Sequence, residues 1–307
     1  MKTPVAFIIF RRPQTTEKVF EAIRQAKPSK LLVIADGPRP NVHGEAEKCY
    51  TTREIIKRVD WDCEVLTNFS DTNLGCKLRV SSGLDWVFKN VEEAIILEDD
   101  CLPHPTFFNF CEELLNKYRD DKRIMVISGN NFQFGQIRNQ DDYYFSRYNH
   151  CWGWATWKRA WQLFDIEMKL WPKVFKEGWL QDILKNPQSV KYWAKNFQSV
   201  YEGKIDTWDY IWVYSCWLQN SLAILPNRNL VSNIGFYSEA THSKDANSIC
   251  ANIPVKGIEF PLKHPDFIIR NERADYFAQN ILYEPKFTFN IYRKLKLIFK
   301  KFKNNFL

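Results

Sequence analysis

The chain has 307 residues, 45% of them hydrophobic and 26% charged, which is typical of a globular protein with a sizeable core. Its net charge of +7 favours anionic partners, but no long stripe of lysines and arginines coincides with a nucleic-acid-binding motif, so we expect no nucleic-acid partner. The eight cysteines are scattered without a CxxC pair, which argues against a zinc cluster and against a disulfide framework.

The first hundred residues alternate predicted strands with predicted helices. Four runs are predicted as strands, and they span residues 4–10, 31–36, 63–69 and 93–100. The first is continuously apolar, which is typical of a strand covered on both faces. A helix with Val19, Phe20 and Ile23 on one face follows the first run, and a helix over 80–91 precedes the fourth. This rhythm predicts an α/β fold in which a mostly parallel central sheet carries helices on both faces.

The rest of the chain is divided by a change in its aromatic content. A helix over 104–118 and a strand over 123–129 follow the fourth run. Ten of the twelve tryptophans then lie between residues 152 and 217, so the composition shifts in this part of the chain. We expect one elaborate unit with halves at 1–130 and 131–250, an irregular extension over 251–285, and a separate tail over 286–307.

Polar side chains follow three of the predicted strands at the point where each strand ends. They are Arg11 and Arg12 after the first strand, Asp36 after the second, and the acidic triplet 98–100 after the fourth. Open parallel sheets bind ligands at the carboxyl ends of their strands. The sequence has neither GxGxxG after the first strand nor GxxxxGK(S/T), so a carboxylate-bound Mg²⁺ or Mn²⁺ is the expected means of holding a phosphate.

The triplet Glu98-Asp99-Asp100 also has a plain structural interpretation. Negative charge is favourable where a helix begins, so an acidic turn could simply start the next helix. Its position favours a ligand site instead, because it ends a buried strand at the edge where such sheets place their ligands.

The run IILEDD, which ends at Asp100, resembles the DXD-like metal motif of GT-A glycosyltransferases. The Glu-Asp-Asp form is that of family 2-like bacterial enzymes and of the N-acetylglucosaminyltransferases of the N-glycan pathway. Further pieces match the family in order over roughly residues 3 to 245, namely IIFRRP, VIADGPR, NLGCKLR, HCWGWATWKRAW, WDYIW and NIGFYSEATHS.

The resemblance implies a site for a nucleotide-sugar donor, with UDP as the expected nucleotide. Asp36 would hydrogen-bond the uracil base or the ribose, and Arg11 or Arg12 would lie near the same pocket. Arg79, in N-x-G-x-x-x-R, would approach the nucleotide or its phosphates.

The resemblance also implies contacts to a metal and to the donor sugar. Asp100 would bind Mn²⁺ or Mg²⁺ directly, while Glu98 and Asp99 would contact the sugar or the ribose. His242 would be the late histidine that many GT-A enzymes place against the metal or the diphosphate.

Two acids compete for the role of catalytic base. The resemblance implies Asp209 in TWDYIW. The nearest relatives often carry two adjacent acids there, whereas Tyr210 follows Asp209 in this chain. Asp206 therefore stays a competitor. An inverting transfer needs such a base to remove the proton of the acceptor hydroxyl.

Each residue outside the triplet has a structural alternative as well. Asp36 can start the turn DGPRP, Arg79 can be a surface cation, and Asp209 can cap a helix. A lone histidine such as His242 is usually structural.

The tryptophans of CWGWATWKRAW have two interpretations. Most are expected to be core residues. The glycine between Trp152 and Trp154 indicates a tight backbone site, and sugar rings have apolar faces that lie well on aromatic rings. We therefore expect one or two of these tryptophans to line the donor or the acceptor site, with Trp152 and Trp154 assigned to acceptor binding.

The tail 286–307 is basic and has no acidic residue. Drawn as a helix, it places Ile291, Leu295, Ile298 and Phe302 on one face and lysines around the remainder, which is typical of an anchor on an anionic membrane surface. A helix docked on the protein or on a partner is the alternative. No apolar run reaches the roughly 18 residues of a membrane span, and no signal peptide is expected at the start. We expect a cytoplasmic protein, peripheral on the cytoplasmic face of a membrane.

Together these features predict a metal-dependent glycosyltransferase, either a hexosyl- or an N-acetylhexosaminyltransferase, that uses a UDP-sugar and a glycan or lipid-linked acceptor. Two other classes stay open at this point. A metal-dependent phosphohydrolase would use the carboxylates to hold ions that activate water. A glycan-binding protein without catalysis could have the same fold.

Overall fold

Strands and the helices between them build the first half of the chain, as seen in the computed structural model, which describes residues 1–236 and 248–283. The run 63–69 does form a strand, but this strand lies at the sheet edge and is mostly exposed rather than covered on both faces. The predicted site residue His242 and the tail 286–307 lie outside the described residues. The first elements are β1 (Val5–Ile9), α1 (Pro13–Ala26), β2 (Lys30–Ala35), α2 (Glu45–Glu54), β3 (Glu64–Phe69), α3 (Gly75–Asn90), β4 (Glu93–Glu98), β5 (Cys101–Pro103), α4 (Thr106–Lys117) and β6 (Ile124–Ser128).

The second half adds three strands to the central sheet, one strand that pairs with β5, and a group of helices. Its elements are β7 (Tyr143–Ser146), β8 (Trp154–Trp157), α5 (Lys158–Trp161), α6 (Trp171–Glu177), α7 (Leu180–Leu184), α8 (Pro187–Tyr201), α9 (Asp209–Leu218), β9 (Leu222–Pro226), β10 (Val231–Asn233) and α10 (Glu272–Ala278). A π-helical turn over Gln279–Tyr283 continues α10, so the extension is partly helical rather than irregular throughout.

Eight strands form the central sheet in the order β3-β2-β1-β4-β8-β6-β9-β7. Six of them run in the same direction, and only β8 and β7 run against it. The predicted α/β class with a mostly parallel sheet is therefore confirmed. The sheet also crosses residue 130, because β6 pairs with β8 and β9 from the second half.

Helices cover both faces of the sheet, as the alternation along β1 requires. Val5 and Phe7 point into a core shared with α1 and α4, whereas Ala6 and Ile8 point into a core shared with α3, α5 and α9. A third cluster lies between α6, α7, α8 and the outer side of α9. No helix in residues 1–236 and 248–283 is both long and apolar enough to cross a membrane.

The strand β8 was not predicted from the sequence, and it changes the interpretation of its tryptophans. It lies antiparallel between β4 and β6. Gly153, just before it, has φ of 65°, and a Cβ there would lie 2.7 Å from Val231 Cγ2, so a tight backbone site does exist between the two tryptophans.

The prediction that Trp154 binds the acceptor is corrected by its position in the core. Its side chain is 1% exposed, and its ring stacks on Trp208 with centroids 5.6 Å apart and lies 5.9 Å from Trp212. The residue sits in the middle of the sheet with its ring under α9, where a substrate does not reach it.

We expect Trp154→Ala to lower the free energy of unfolding by about 3–5 kcal/mol, because it removes a large ring from a packed core and leaves a cavity. Trp179→Ala is the matched control, since Trp179 is 45% exposed, and its loss should be about 1 kcal/mol or less. Urea unfolding followed by circular dichroism measures both. Equal losses in the two variants would contradict the core assignment.

Candidate active site

A cleft of about 650 Å³ opens at the carboxyl ends of β1, β2 and β4, where a parallel sheet places its ligands. Most of the predicted site residues line it, although they come from both halves of the chain. These are Arg12, Asp36, Arg79, Glu98, Asp99, Asp100, Trp152, Asp206 and Asp209. Arg11 is not among the residues that line the cleft, and it forms an ion pair with Glu45 at 2.7 Å.

The acidic triplet at the end of β4 forms one corner of the cleft. Arg12 Nη1 lies 3.1 Å from Asp99 Oδ1 and 2.5 Å from Asp100 Oδ2, so one guanidinium pairs with both aspartates. The backbone N–H of Phe10 donates to Asp99 Oδ2 at 3.1 Å. Arg12 and Phe10 thus offset part of the repulsion among the carboxylates.

The remaining electrostatic strain falls on Glu98 and Asp99. Burial, together with the charges of Asp100 and Asp99, raises the pKa of Glu98 to about 8. Burial also raises the pKa of Asp99, against the lowering effect of the Arg12 charge. A divalent cation at this corner would oppose both shifts, because its positive charge favours the ionised carboxylates.

The donor set at this corner suits a cation shared with a substrate. Within residues 1–236 and 248–283, no group of three or more histidine, cysteine, aspartate or glutamate side chains could hold a metal ion by itself. Mg²⁺ is commonly bound by one or two carboxylates together with substrate phosphates. The residues present therefore fit an ion held by Asp100 and a diphosphate, and they do not fit an ion held by protein ligands alone.

Asp36, at the end of β2, holds the loop that precedes α3. Its Oδ1 accepts from the N–H groups of Gly37 and Leu74, both at 2.9 Å. Its Oδ2 accepts from Asn73 Nδ2 at 3.0 Å and from the Gly75 N–H at 3.2 Å. Burial raises the pKa of Asp36, and the backbone donors oppose that rise. The carboxylate therefore shapes the floor of the cleft, and its side-chain partner is Asn73, the first residue of the N-x-G-x-x-x-R motif.

Arg79 lies beneath this loop and is not a surface cation. It is 5% exposed, and its Nη2 donates to the Asn68 carbonyl at 2.6 Å and to Asn68 Oδ1 at 2.5 Å. Its buried Nε has no hydrogen-bond partner in the described part of the chain. Burial lowers the pKa of Arg79, and the charge of Asp36 opposes that effect. A buried cation that lines the cleft beside Asp36 is suited to an anionic ligand.

Asp206 caps a helix from 130 residues away in the sequence. Its Oδ2 accepts from the Cys76 N–H at 3.0 Å and its Oδ1 from the Lys77 N–H at 3.1 Å, so both oxygens satisfy the first turn of α3. Gly75 permits this contact, because it has φ of 79° and a Cβ would lie 2.7 Å from Asp206 Oδ2. The contact gives Asp206 a structural role in joining the second half to α3.

Asp209 begins α9 and faces the same cleft. Its Oδ1 accepts from Thr207 Oγ1 and from the Tyr210 N–H, the latter at 2.8 Å. Among the described residues, Oδ2 accepts no hydrogen bond. Of the two candidate bases, Asp209 is therefore the one with an oxygen available to a substrate hydroxyl.

Trp152 and Asn233 complete the side of the cleft next to the acidic corner. The Trp152 ring is held edge to face by Phe132 at 5.0 Å and by Phe236 at 5.6 Å. Asn233 ends β10, which pairs with β5 just after the acidic triplet. Sequence reasoning missed Asn233 because a three-residue strand that pairs across more than 120 residues leaves no local signal.

Comparisons with known proteins show no family for this chain. No protein-family model and no curated protein matches the chain. The solved structure of UDP-glucose pyrophosphorylase with UDP-glucose is similar at 12% identity and a TM-score of 0.27, over 48% of this chain and 63% of that one, which is less than two thirds of its length.

Two further solved structures are similar at the same level. HddC from Yersinia pseudotuberculosis, complexed with GMP-PN, has 8% identity and a TM-score of 0.31, over 50% of this chain and 77% of that one. The 4-diphosphocytidyl-2C-methyl-D-erythritol synthase from Anaerococcus prevotii DSM 20548 has 11% identity and a TM-score of 0.29, over 53% and 73% of the two chains. Likenesses this low carry no argument about the fold or the activity of this chain.

We expect Asp206→Ala to lower the free energy of unfolding by about 1–2 kcal/mol, because two N–H groups at the start of α3 lose their acceptors. Asp62→Ala is the control, since Asp62 is exposed, and it should change stability by about 0.5 kcal/mol or less. Urea unfolding compares the two variants. An Asp206→Ala protein as stable as the control would show that the cap contributes nothing.

The raised pKa of Glu98 predicts a pH dependence of stability. A carboxyl whose pKa is higher in the folded state than in the unfolded state stabilises the fold at low pH, and this contribution is lost as the pH rises from about 4.5 to about 8. In metal-free buffer, Glu98→Gln should therefore fall less in stability than the wild type between pH 5 and pH 8. Urea titrations at both values measure this, with the exposed Glu47→Gln as control. Parallel profiles for wild type and Glu98→Gln would refute the assignment.

Proposed function

We propose that the protein is a glycosyltransferase that moves a sugar from a nucleotide-diphosphate donor, expected to be a UDP-sugar, to a hydroxyl of a glycan or lipid-linked acceptor. One observation carries the proposal. The available oxygen of Asp209 and the acidic corner around Asp100 lie in the same cleft, as a base and a leaving-group site must in a direct displacement.

The two parts of the donor, the nucleoside and the diphosphate, are assigned to different parts of the cleft. Its volume of about 650 Å³ lies within the roughly 300–1,000 Å³ of ligand pockets. The nucleoside would lie over the loop held by Asp36, with Arg79 as the nearby buried cation. The diphosphate would lie toward Asp100, and Arg12 would give up part of its pairing there to a Mn²⁺ or Mg²⁺ ion. When bound, that ion supplies positive charge for the leaving diphosphate.

In the proposed chemistry, one residue of this chain takes one proton while the acceptor oxygen displaces the nucleoside diphosphate from the sugar. Asp209 Oδ2 would accept the proton of the acceptor hydroxyl as its oxygen attacks the anomeric carbon. The contacts of Oδ1 to Thr207 and Tyr210 hold the carboxylate in one orientation while it does so. This arrangement favours inversion, and no covalent intermediate on the protein is needed.

The phosphohydrolase alternative is less well supported by the donor set. Such enzymes gather several aspartate and histidine ligands around their ions. The described residues contain no group of three that could do so. A glycan-binding protein without catalysis would not need an aspartate oxygen free of partners in the cleft.

We expect Asp209→Asn to lower the turnover of UDP-sugar by about 10²- to 10⁴-fold, because the amide cannot take the hydroxyl proton. Asp206→Asn should be the milder change, since one of its atoms still accepts from α3. Release of UDP from UDP-glucose, UDP-galactose and UDP-N-acetylglucosamine with Mn²⁺ measures both. If Asp206→Asn abolishes release and Asp209→Asn does not, the base is misassigned.

The UDP-release assay, together with melting temperatures, separates the three function classes. If the protein is a transferase, UDP and Mn²⁺ together raise its melting temperature, and it releases UDP from a UDP-sugar. A phosphohydrolase releases inorganic phosphate instead. A protein that binds UDP-sugars but never turns them over, in any variant, would leave only the binding function.

An anionic membrane surface is proposed as a further partner on sequence grounds alone. The tail 286–307 lies outside the described residues, so the support is its basic amphipathic pattern. Attachment there would suit an enzyme that acts on a lipid-linked acceptor.

A further inference from the structure

A second cavity, of about 250 Å³, adjoins the cleft on the far side of Asp209. The two share four lining residues, namely Cys151, Trp152, Asp209 and Tyr210. Its volume is below the roughly 300 Å³ at which ordinary ligand pockets begin, so it suits one end group of a larger molecule.

Polar side chains in the wall of this cavity are buried without hydrogen-bond partners. Asn130 is 1% exposed, and neither its Oδ1 nor its Nδ2 has a partner in the described part of the chain. The same holds for Asn149 Oδ1 and for His150 Nε2. Buried polar atoms are nearly always paired in native proteins, so three such side chains around one cavity indicate that a ligand completes them.

His150 would meet that ligand as a neutral ring. Burial lowers the pKa of His150 to about 3, so the imidazole is uncharged at physiological pH. Its position is fixed through the backbone, because the His150 N–H donates to Ser128 Oγ and Ser128 Oγ donates to the His150 carbonyl. The ring can therefore exchange one hydrogen bond with a hydroxyl without adding charge.

Aromatic rings supply the rest of the wall. Phe132 lies 4.7 Å from the His150 ring and 5.0 Å from Trp152, both edge to face. Trp193 and Tyr283 meet at 4.8 Å on the other side. Tyr283 belongs to the π-helical turn after α10, and Gln279 of the same turn accepts from Trp193 Nε1 at 3.0 Å. The extension 251–285 is thus part of the cavity wall.

The charge of the cavity is low and acidic. Its lining contains no lysine or arginine among the described residues, and Asp209 is its one carboxylate. An anionic end group such as a phosphate would find no cation there and would meet the Asp209 charge. A ring with several hydroxyl groups and an apolar face matches both the amide groups and the aromatic walls.

We propose that this cavity binds a single neutral sugar ring, the end of the acceptor, with Asn130 hydrogen-bonding two of its hydroxyl groups. One further hydroxyl would then face Asp209 Oδ2 at the junction with the cleft. The role of this ring as the acceptor rests on the proposed function, but its binding in the cavity does not. In the transfer, the proton of the acceptor hydroxyl goes to Asp209, and the hydroxyl oxygen forms a bond to the anomeric carbon of the donor sugar. The bond between that carbon and the diphosphate oxygen breaks, and its electron pair leaves with the nucleoside diphosphate.

Binding of uncharged methyl glycosides tests the proposal without any turnover. The probes are the methyl glycosides of glucose, galactose, mannose and N-acetylglucosamine, followed by saturation-transfer NMR on the full chain. At least one should bind, and Asn130→Leu should weaken it by tenfold or more. Asn90→Leu is the matched control, because Asn90 is the last, exposed residue of α3, and its affinity should equal that of the wild type.

The melting temperature of Asn130→Leu separates a ligand contact from a structural one. Removing a buried amide that has no partner should leave the melting temperature unchanged or raise it. A lowered melting temperature together with lost binding would show that Asn130 supports the fold, and the proposal would be wrong.

Two other results would also overturn it. One is the absence of binding by every glycoside, and the other is tighter binding of glucose 6-phosphate than of methyl glucoside. If a glycoside binds as expected but no UDP-sugar is turned over in its presence, the cavity assignment stands and the proposed transferase function fails.

Discussion

The structure depends on how three adjacent carboxylates at the end of a buried strand are kept from repelling one another. Glu98 ends β4 in the middle of the sheet and Asp99 and Asp100 follow it, and burial together with their mutual charges raises the pKa of Glu98 and of Asp99. Arg12 pairs with two of the three, and Glu98 responds with a strongly raised pKa. Carboxyl groups with pKa values perturbed by burial and like charges are common where proteins bind ligands.

The neighbourhood of this corner is built by contacts that cross from one half of the chain to the other. Asp206 satisfies the first turn of α3, and β8 separates β4 from β6 in the sheet. These contacts place Asp209 opposite the acidic corner although the two lie more than a hundred residues apart. The halves therefore form one site through shared packing, and the geometry of the cleft depends on both.

Two kinds of polar group occur around the cleft, and they have different consequences. Asp36, which is buried, and Asp206, which is exposed, both accept from backbone N–H groups and fix the shape of a loop and of a helix end. Asn130 and His150 are buried with atoms that have no described partner, which lowers the stability of the empty protein. Groups of the first kind position the site, and groups of the second kind indicate where a ligand's own hydrogen bonds are needed.

The sequence by itself determined the α/β class and the acidic corner, because a buried strand and its terminal charges are local features that hydrophobic periodicity reports directly. It also brought Asp36, Arg79 and Asp209 to attention through short motifs. Only the tertiary structure decided that Trp154 belongs to the core and that Asp206 caps a helix, because both facts rest on partners distant in sequence. The second cavity was beyond sequence reasoning for the same reason, since its walls come from several separate segments that meet only after the chain has folded.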